Sequence, residues 1–197
     1  MELLKNILVK IHKDWILCLI LLLTAVLRFY NYSNLSITGD EVSALLRLRF
    51  DNFKDLIDFG VRPDGHPAGV QVFLYFWTKV FGISEASIRF PFVIAGVLSI
   101  FFAYLIGKDW FTKNAGLFSA ASLCFLQFPL LYSQIARPYS PGLLFTLMTT
   151  WFWTRVLFYK NKHNTLIVLC FVFSTAAAIY IHYFSFFQVM IIGLSGF

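Results

Sequence analysis

Apolar residues in this sequence fall into long blocks that short polar segments separate. A helix needs about 20 mostly apolar residues to cross a bilayer, and several blocks approach or reach that length. The predicted spans are Trp15–Tyr32, Phe90–Gly107, Ala115–Ser133, Pro141–Phe158 and Thr165–Ile181, with a sixth run from near Tyr183 to Phe197. The pattern therefore predicts an all-α fold, a polytopic membrane helix bundle that forms one transmembrane module over residues 1–197.

The first apolar block has two interpretations, an uncleaved span or a signal peptide. Arg28-Phe29-Tyr30-Asn31 follows it, in place of the small residues of a cleavage site. We therefore predict an uncleaved span. The sequence stops at Phe197 inside an apolar run, so we also expect it to be the N-terminal part of a longer protein.

The segment Pro67–Phe81 decides the topology, because every later loop changes side if it crosses the bilayer. Its apolar stretch is short and contains Gln71 and Lys79, which favours a re-entrant or interfacial helix. Without this crossing, the N-terminus and the loops after the second and fourth spans lie on one side. Those segments contain most of the basic residues near the spans: Lys5, Lys10, Lys13, Lys108, Lys113, Arg155, Lys160 and Lys162. Because basic residues collect on the cytoplasmic side, we predict a cytoplasmic N-terminus.

This topology leaves one long extracytoplasmic loop, Ser33–Arg89. A loop of this length in a compact protein is usually functional. Within it, Glu41–Phe59 has apolar residues at helical spacing and predicts an amphipathic helix on the membrane surface. Gly39-Asp40 would stand just before that helix, where an aspartate can cap it.

Composition supports the membrane class and argues against others. Hydrophobic residues make up 59% of the chain and charged residues 13%, whereas soluble domains have about 45–50% and about 25%. The net charge of +6 lies largely between apolar blocks, so membrane orientation explains it better than nucleic-acid binding. The three cysteines lie inside apolar blocks, at spacings that resemble neither a metal site nor a disulfide framework.

Two groups of polar residues in the long loop can carry chemistry. Asp40 and Glu41 are adjacent carboxylates, of which one could act as a general base and the other could orient a substrate or hold a metal ion. Asp64-Gly65-His66-Pro67 combines a carboxylate, an imidazole and a helix start. The structural alternatives are helix capping by the two acids and a solvated turn around His66.

Arginines and aromatic residues mark the ends of the predicted spans on the same side. Arg89 stands where the long loop meets the second span, and Arg137 and Tyr139 follow the third. A guanidinium group pairs well with phosphate, although each arginine also fits an interfacial role. Tyr139 and His182 fit an aromatic belt as well. Acids for proton transfer and arginines for phosphate on one side suit a reaction on a lipid-linked phosphate.

The order of these motifs resembles the N-terminal half of glycosyltransferase family 39. Four motifs follow the first span in that order: Gly39-Asp40-Glu41, Asp64-Gly65-His66-Pro67, Ser87-Ile88-Arg89-Phe90-Pro91 and Ser133-Gln134-Ile135-Ala136-Arg137-Pro138-Tyr139. The family contains protein O-mannosyltransferases, is related to the aminoarabinose transferases of lipid A, and has the GT-C membrane fold. The resemblance covers roughly residues 15–160, and the Asp-Glu pair is its most specific feature.

The resemblance implies a glycosyltransferase of the plasma (inner) membrane whose site faces the non-cytoplasmic side. The implied donor is a sugar on polyprenyl phosphate, the acceptor is a protein, lipid or glycan, and the anomeric carbon is inverted. By resemblance, Asp40 activates the acceptor and Glu41 is its partner acid. The residues assigned to donor-phosphate or substrate binding are Asp64, His66, Arg89, Arg137 and Tyr139.

This sequence departs from the family pattern in the turn before the predicted interfacial helix. Ala68 replaces a second proline, and Gly65 stands where some relatives have a glutamate proposed to bind metal. Whether the site binds a divalent metal ion, with Glu41 or His66 as a ligand, is therefore left open.

Two other functional classes are weighed against the enzyme. A transporter or channel would place ionisable residues inside the spans, whereas the charges here gather at span ends. The other class is a catalytically inactive membrane scaffold, and the expected N-terminal part of an enzyme could itself be inactive alone.

Overall fold

The computed structural model describes residues 14–63, 66–159 and 165–195. Within those ranges the chain is helical and contains no strand. The helices are α1 Trp15–Phe29, α2 Gly39–Leu46, α3 Phe53–Asp55, α4 Gly69–Phe81, α5 Glu85–Trp110, α6 Lys113–Phe125, α7 Gln127–Ser133, α8 Tyr139–Phe158, α9 Thr165–Ile181 and α10 Tyr183–Ser195, with a π-helical turn over Leu56–Val61 after α3. The predicted all-α helix bundle is confirmed.

Few of the described helices are both long and apolar enough to cross a bilayer alone. Helix α5 meets both requirements, and α6 with α7 makes a second candidate if the bent pair is one span. Helices α1, α9 and α10 are apolar but shorter, at 15, 17 and 13 residues. The number of spans and the side that each loop faces stay predictions.

Helix α5 is central to the bundle and packs against α1, α6 and α8. Leu17 of α1, Ile100 of α5 and Trp151 of α8 belong to one buried core. Arg89, near the start of α5, contacts Glu41 of α2, whereas Lys113, just after α5, contacts Asp14 before α1. These two contacts define the two ends of the bundle, which we call the Asp40 end and the Lys113 end.

Helices α5 and α6 touch backbone to backbone at the Lys113 end. A Cβ added to Gly107 would lie 2.8 Å from the Cα of Gly116, and a Cβ added to Gly116 would lie 2.6 Å from the carbonyl oxygen of Tyr104. Small residues permit such close helix approach in membrane proteins. The hydroxyl of Tyr104 donates to Asp14 at 2.6 Å, which ties the start of α1 to the same crossing.

Helix α4 lies at the Asp40 end and does not run through the bundle. Its buried residues pack on Ile88 and Phe92 near the start of α5 and on Ile181 at the end of α9. Pro91 of α5 has no N–H to offer the carbonyl of Ser87, and the indole Nε1 of Trp77 in α4 donates to that oxygen at 2.9 Å. Helix α4 is therefore docked along the first turns of α5.

The span predicted over Ala115–Ser133 consists of two helices, because the chain bends by 62° between α6 and α7. Whether the bent pair makes one crossing stays a prediction. Pro129 lacks the N–H that would bond the carbonyl of Phe125, and the bend falls just before it, at the extended residue Leu126. Arg28, at the end of α1, donates to two carbonyls in the last turn of α6, Leu123 at 3.1 Å and Cys124 at 3.4 Å. Helix α1 therefore supports the bend.

The single amphipathic helix predicted over Glu41–Phe59 is replaced by separate elements. Helix α2 ends at Leu46, and α3 begins at Phe53 after Asn52, whose side chain accepts from the N–H of Asp55 at 2.8 Å. Asp40 is not the N-cap, because α2 begins one residue before it. Thr38 is the cap, and it forms a capping box with Glu41.

We predict that Gly116→Ala lowers the free energy of unfolding by about 1–3 kcal/mol, the usual range for overpacking a tight contact. The new Cβ would meet backbone atoms of Tyr104 and Lys108, which cannot move aside as a flexible side chain does. Gly193→Ala in α10 is the matched control, because no atom of the described residues lies within 4 Å of a Cβ there. Thermal unfolding in detergent, followed by circular dichroism, measures both; equal midpoints would contradict a tight crossing.

Candidate functional site

A fully buried ion pair joins α2 to α5. Arg89 Nε donates to Glu41 Oε1 and Arg89 Nη2 donates to Glu41 Oε2, each at 2.8 Å, and both side chains are 0% exposed. Nη1 of Arg89 donates to the carbonyls of Tyr32 and Leu35, and Nη2 donates to that of Ser36, at 2.8–3.3 Å. These contacts occupy all five N–H groups of the guanidinium, so none is available to a phosphate in this arrangement.

The carboxylate of Glu41 is equally occupied. Oε1 also accepts from the backbone N–H of Ala136 at 2.9 Å, and Oε2 accepts from the N–H and the hydroxyl of Thr38 at 3.1 and 3.3 Å. Burial favours the neutral acid, but the hydrogen bonds from Arg89, Ala136 and Thr38 outweigh it and hold the pKa of Glu41 below its ordinary value. Glu41 is therefore ionised, and it ties together α2, α5 and the segment between α7 and α8.

Asp40, the neighbouring acid, is exposed in the first turn of α2. Arg137 Nη1 donates to the backbone carbonyl of Asp40 at 3.3 Å. Arg137 is itself buried, and its Nε has no partner in the described part of the chain. Asp40 thus has a fixed backbone position and a solvent-accessible side chain.

Tyr139 begins α8 and belongs to a row of aromatic rings at the Asp40 end. Its ring packs edge-on against Tyr132, with the centroids 4.5 Å apart, and lies 6.3 Å from His182. The N–H of Phe184 donates to Nδ1 of His182 at 3.3 Å. Burial lowers the pKa of His182 and the nearby charge of His66 lowers it further, so the neutral imidazole is favoured.

A groove of 420 Å³ opens beside this row. Aromatic rings and polar side chains line it together: Phe128, Tyr139, Thr146, His182, Phe184, Ser185 and Gln188. Gly142 also lines it, and a Cβ there would lie 3.2 Å from the Cβ of His182, so the glycine lets α8 approach the junction of α9 and α10. A concave site with aromatic walls and a few hydroxyl and amide groups is typical of small-molecule binding.

The structure places the described candidate residues at the same end of the bundle. Contacts connect Asp40, Glu41, Arg89 and Arg137 directly, and Tyr139 is two residues beyond Arg137. His66 is exposed and lies close enough to His182 to influence its pKa. Asp64 lies outside the described residues, so its predicted role stays a prediction.

Three residues that organise this end were not among the predicted site residues. Thr38 caps α2, and the Thr-x-x-Glu spacing was a sequence signal for it. Gln134 Nε2 donates to the carbonyls of Arg28 and Tyr30, both at 3.0 Å, where α1 ends. Arg28 is 0% exposed; the signal for it was a charge at the end of an otherwise apolar block.

No group of three or more His, Cys, Asp or Glu side chains that could hold a metal ion occurs within residues 14–63, 66–159 and 165–195. Of the two residues considered for a metal, Glu41 has both oxygens engaged by Arg89, whereas His66 is exposed.

The sequence profile of one protein family, described as dolichyl-phosphate-mannose-protein mannosyltransferase, matches residues 65–194. The match covers more than half of the chain and includes His66, Arg89, Arg137 and Tyr139, whereas Asp40 and Glu41 precede it. No curated protein and no solved structure matches the chain. The matched family consists of membrane-embedded glycosyltransferases, which confirms the family resemblance seen in the sequence. The chain therefore belongs to the dolichyl-phosphate-mannose-protein mannosyltransferase family.

Proposed function

We propose that this chain transfers a sugar from a polyprenyl-phosphate carrier to an acceptor on the non-cytoplasmic face of the plasma (inner) membrane, which it crosses several times. The observation that carries the proposal is an exposed carboxylate, Asp40, fixed through its backbone by a buried arginine, Arg137, that has an unused N–H group. The site lies in a chain of a membrane glycosyltransferase family. The acceptor is a protein, lipid or glycan, and the family's description makes mannose and a protein the first pair to test.

Asp40 acts as the general base in this proposal. Its carboxylate takes the proton of the acceptor hydroxyl while the acceptor oxygen bonds to the anomeric carbon. The bond from that carbon to the carrier phosphate breaks, and the phosphate leaves with the electron pair. Because the new bond forms opposite the old one, the anomeric carbon is inverted. A phosphate leaving group needs positive charge more than a strong acid.

Glu41 acts as a positioning residue rather than a second base. Its oxygens accept hydrogen bonds from Arg89, Ala136 and Thr38. The Glu41 carboxylate is therefore already occupied, whereas the Asp40 carboxylate is exposed and can reach an acceptor. Arg89, with its five N–H groups engaged, holds Glu41 and the chain segment after α1. We therefore assign both residues to fixing the helix that presents Asp40.

The remaining candidate residues suit the donor side of the reaction. Arg137 is buried, and its Nε has no partner in the described ranges, so it can offer both charge and a hydrogen bond to a phosphate oxygen. Tyr139 and His182 line the aromatic groove, and His66 lies close enough to His182 to influence its pKa. A hydroxylated sugar ring fits a groove with aromatic walls and amide and hydroxyl groups.

We predict that Asp40→Asn lowers transfer from polyprenyl-phosphate mannose to a peptide acceptor about 100-fold or more, because a positioned base typically contributes 10²–10⁴-fold. The backbone carbonyl that Arg137 holds is kept in this variant. Initial rates with the full chain in detergent or vesicles measure the effect.

Asp51→Asn is the matched control for that experiment. Asp51 is an exposed carboxylate of the same loop, and its contact with Tyr75 is also made through the backbone carbonyl. The control should keep the parental rate. An Asp40→Asn chain as active as the control would rule out Asp40 as the base. A parental chain that transfers no sugar would instead favour the scaffold or transporter classes.

We predict that Glu41→Gln lowers the free energy of unfolding by about 3–5 kcal/mol, because it leaves the buried charge of Arg89 without a counter-charge. Asp58→Asn is the control, since Asp58 pairs with Arg62 on the surface and such pairs contribute about 0–1 kcal/mol. Thermal and denaturant unfolding in detergent measure both variants. Equal losses of stability in the two variants would show that the buried pair contributes no more than a surface pair.

We predict that acid weakens the parental protein through Glu41. Because its folded pKa lies below the ordinary value of 4.5, the unfolded chain binds the proton more readily between the two pKa values. The stabilisation is therefore complete above the unfolded pKa and is lost as the pH falls through the folded pKa. Unfolding midpoints measured from pH 7 to pH 3 should fall less steeply in Glu41→Gln, and parallel curves would contradict the prediction.

A further inference from the structure

Arg28 is a second fully buried arginine at the Asp40 end, and its environment differs from that of Arg89. It forms no ion pair with a carboxylate in the described part of the chain. Its two contacts, with the carbonyls of Leu123 and Cys124, use two of five N–H groups. The Nε atom is buried and has no partner among the residues that the structure describes.

A cavity of 180 Å³ lies against Arg28. Its lining includes the hydroxyl-bearing residues Tyr132, Tyr139 and Ser140 and contains no carboxylate. Gly96 lies opposite Nε, and a Cβ there would come within 3.2 Å of that atom. The same Cβ would lie 2.5 Å from the Cβ of Ser133, so the glycine lets α5 pack closely against Arg28 and Ser133.

The cavity adjoins the aromatic groove beside His182. Phe128, Tyr139 and Leu143 line both spaces. A ligand with an anionic group in the cavity could therefore extend its uncharged part into the groove. The T-shaped contact of Tyr132 with Tyr139 stands at this shared wall.

The hydrogen bonds of Arg28 support the bend between α6 and α7, but they do not explain why a full positive charge is buried there. The two carbonyls of α6 offer the partial negative charge of a helix C-terminus, whereas a buried guanidinium carries a full charge that is unfavourable without a counter-ion. A phosphate oxygen would supply the missing charge and accept from the vacant N–H groups. Arg89, in contrast, already has a carboxylate and no vacant donor.

We propose that the Arg28 cavity binds the phosphate group of a phosphate ester, with Arg28 as its main charged contact. The lipid-linked phosphate of the proposed donor is one source of this group, and that reading rests on the proposed function. Free inorganic phosphate is the other source of the same chemistry, and the experiment separates the two.

Isothermal titration calorimetry of the full chain in detergent tests the site with three probes: farnesyl phosphate, farnesol and inorganic phosphate. We expect farnesyl phosphate to bind and farnesol not to bind. Arg28→Gln should weaken binding about tenfold or more, because charge-assisted hydrogen bonds to phosphate are lost. Arg28→Lys should recover part of the affinity, since it keeps the charge and loses the planar fork.

Arg155→Gln is the matched control. Arg155 is a largely buried arginine at the other end of the bundle, where it pairs with Asp109. Its loss should lower stability and leave the affinity for farnesyl phosphate unchanged. An equal loss of affinity in Arg155→Gln and Arg28→Gln would show a general effect of destabilisation and overturn the assignment.

A cavity-filling variant covers the case in which Arg28→Gln does not fold. Leu143→Phe adds volume at the wall that the cavity and the groove share, while both carbonyl contacts of Arg28 are kept. It should also weaken binding of farnesyl phosphate. Unchanged affinity in Arg28→Gln overturns the site, and so does unchanged affinity in Leu143→Phe if Arg28→Gln does not fold.

The remaining outcomes separate this proposal from the proposed function. Inorganic phosphate that binds as tightly as farnesyl phosphate supports the anion site and assigns it to the free ion. A parental chain that binds none of the probes overturns the Arg28 site. The transfer assay on Asp40 then decides the proposed function independently, because that assay does not depend on where the phosphate is held.

Discussion

The buried ion pair between Glu41 and Arg89 is the contact on which the Asp40 end depends. Two charges are taken out of water there, which is unfavourable unless every remaining donor and acceptor finds a partner. The chain meets that requirement with its own backbone: three carbonyls before α2 complete the guanidinium, and the N–H groups of Thr38 and Ala136 complete the carboxylate. One pair thereby sets the position of α2, of the segment after α1 and of the segment before α8.

Three buried arginines meet at this end, and their unequal hydrogen bonding separates their roles. Arg89 has a carboxylate and no vacant donor, which supports the positioning role proposed for it. Within the part of the chain that the structure describes, Arg137 and Arg28 bind only backbone carbonyls, and the Nε of each has no partner. In the proposed reaction, this positive charge would stabilise the anionic leaving group. Arg137 contacts the backbone of Asp40, and Arg28 lines the cavity that adjoins the aromatic groove.

Local patterns in the sequence predicted most helices, but they carry no information about contacts between residues far apart in the sequence. Apolar blocks located α1, α5, α8 and α9 because helix burial imposes a long hydrophobic run. The bend before Pro129 was missed because hydropathy does not register a missing N–H, and the break after Leu46 was missed because apolar spacing continued through it. The candidate residues were found, but the pairing of Glu41 with Arg89, 48 residues away, requires the fold. A pattern of residue types cannot tell an arginine that is fully bonded from one that is not.

Trp77 supplies to Ser87 the hydrogen bond that Pro91 cannot make, so these positions are not free to vary separately. With another residue at position 91, a backbone N–H would compete for the same oxygen and the indole would lose its acceptor. With Pro91 kept and Trp77 replaced, the carbonyl would lose its donor. Substitutions at the two sites are therefore epistatic. We expect positions 77 and 91 to change together in evolution, although the turn at Gly82 separates α4 from α5.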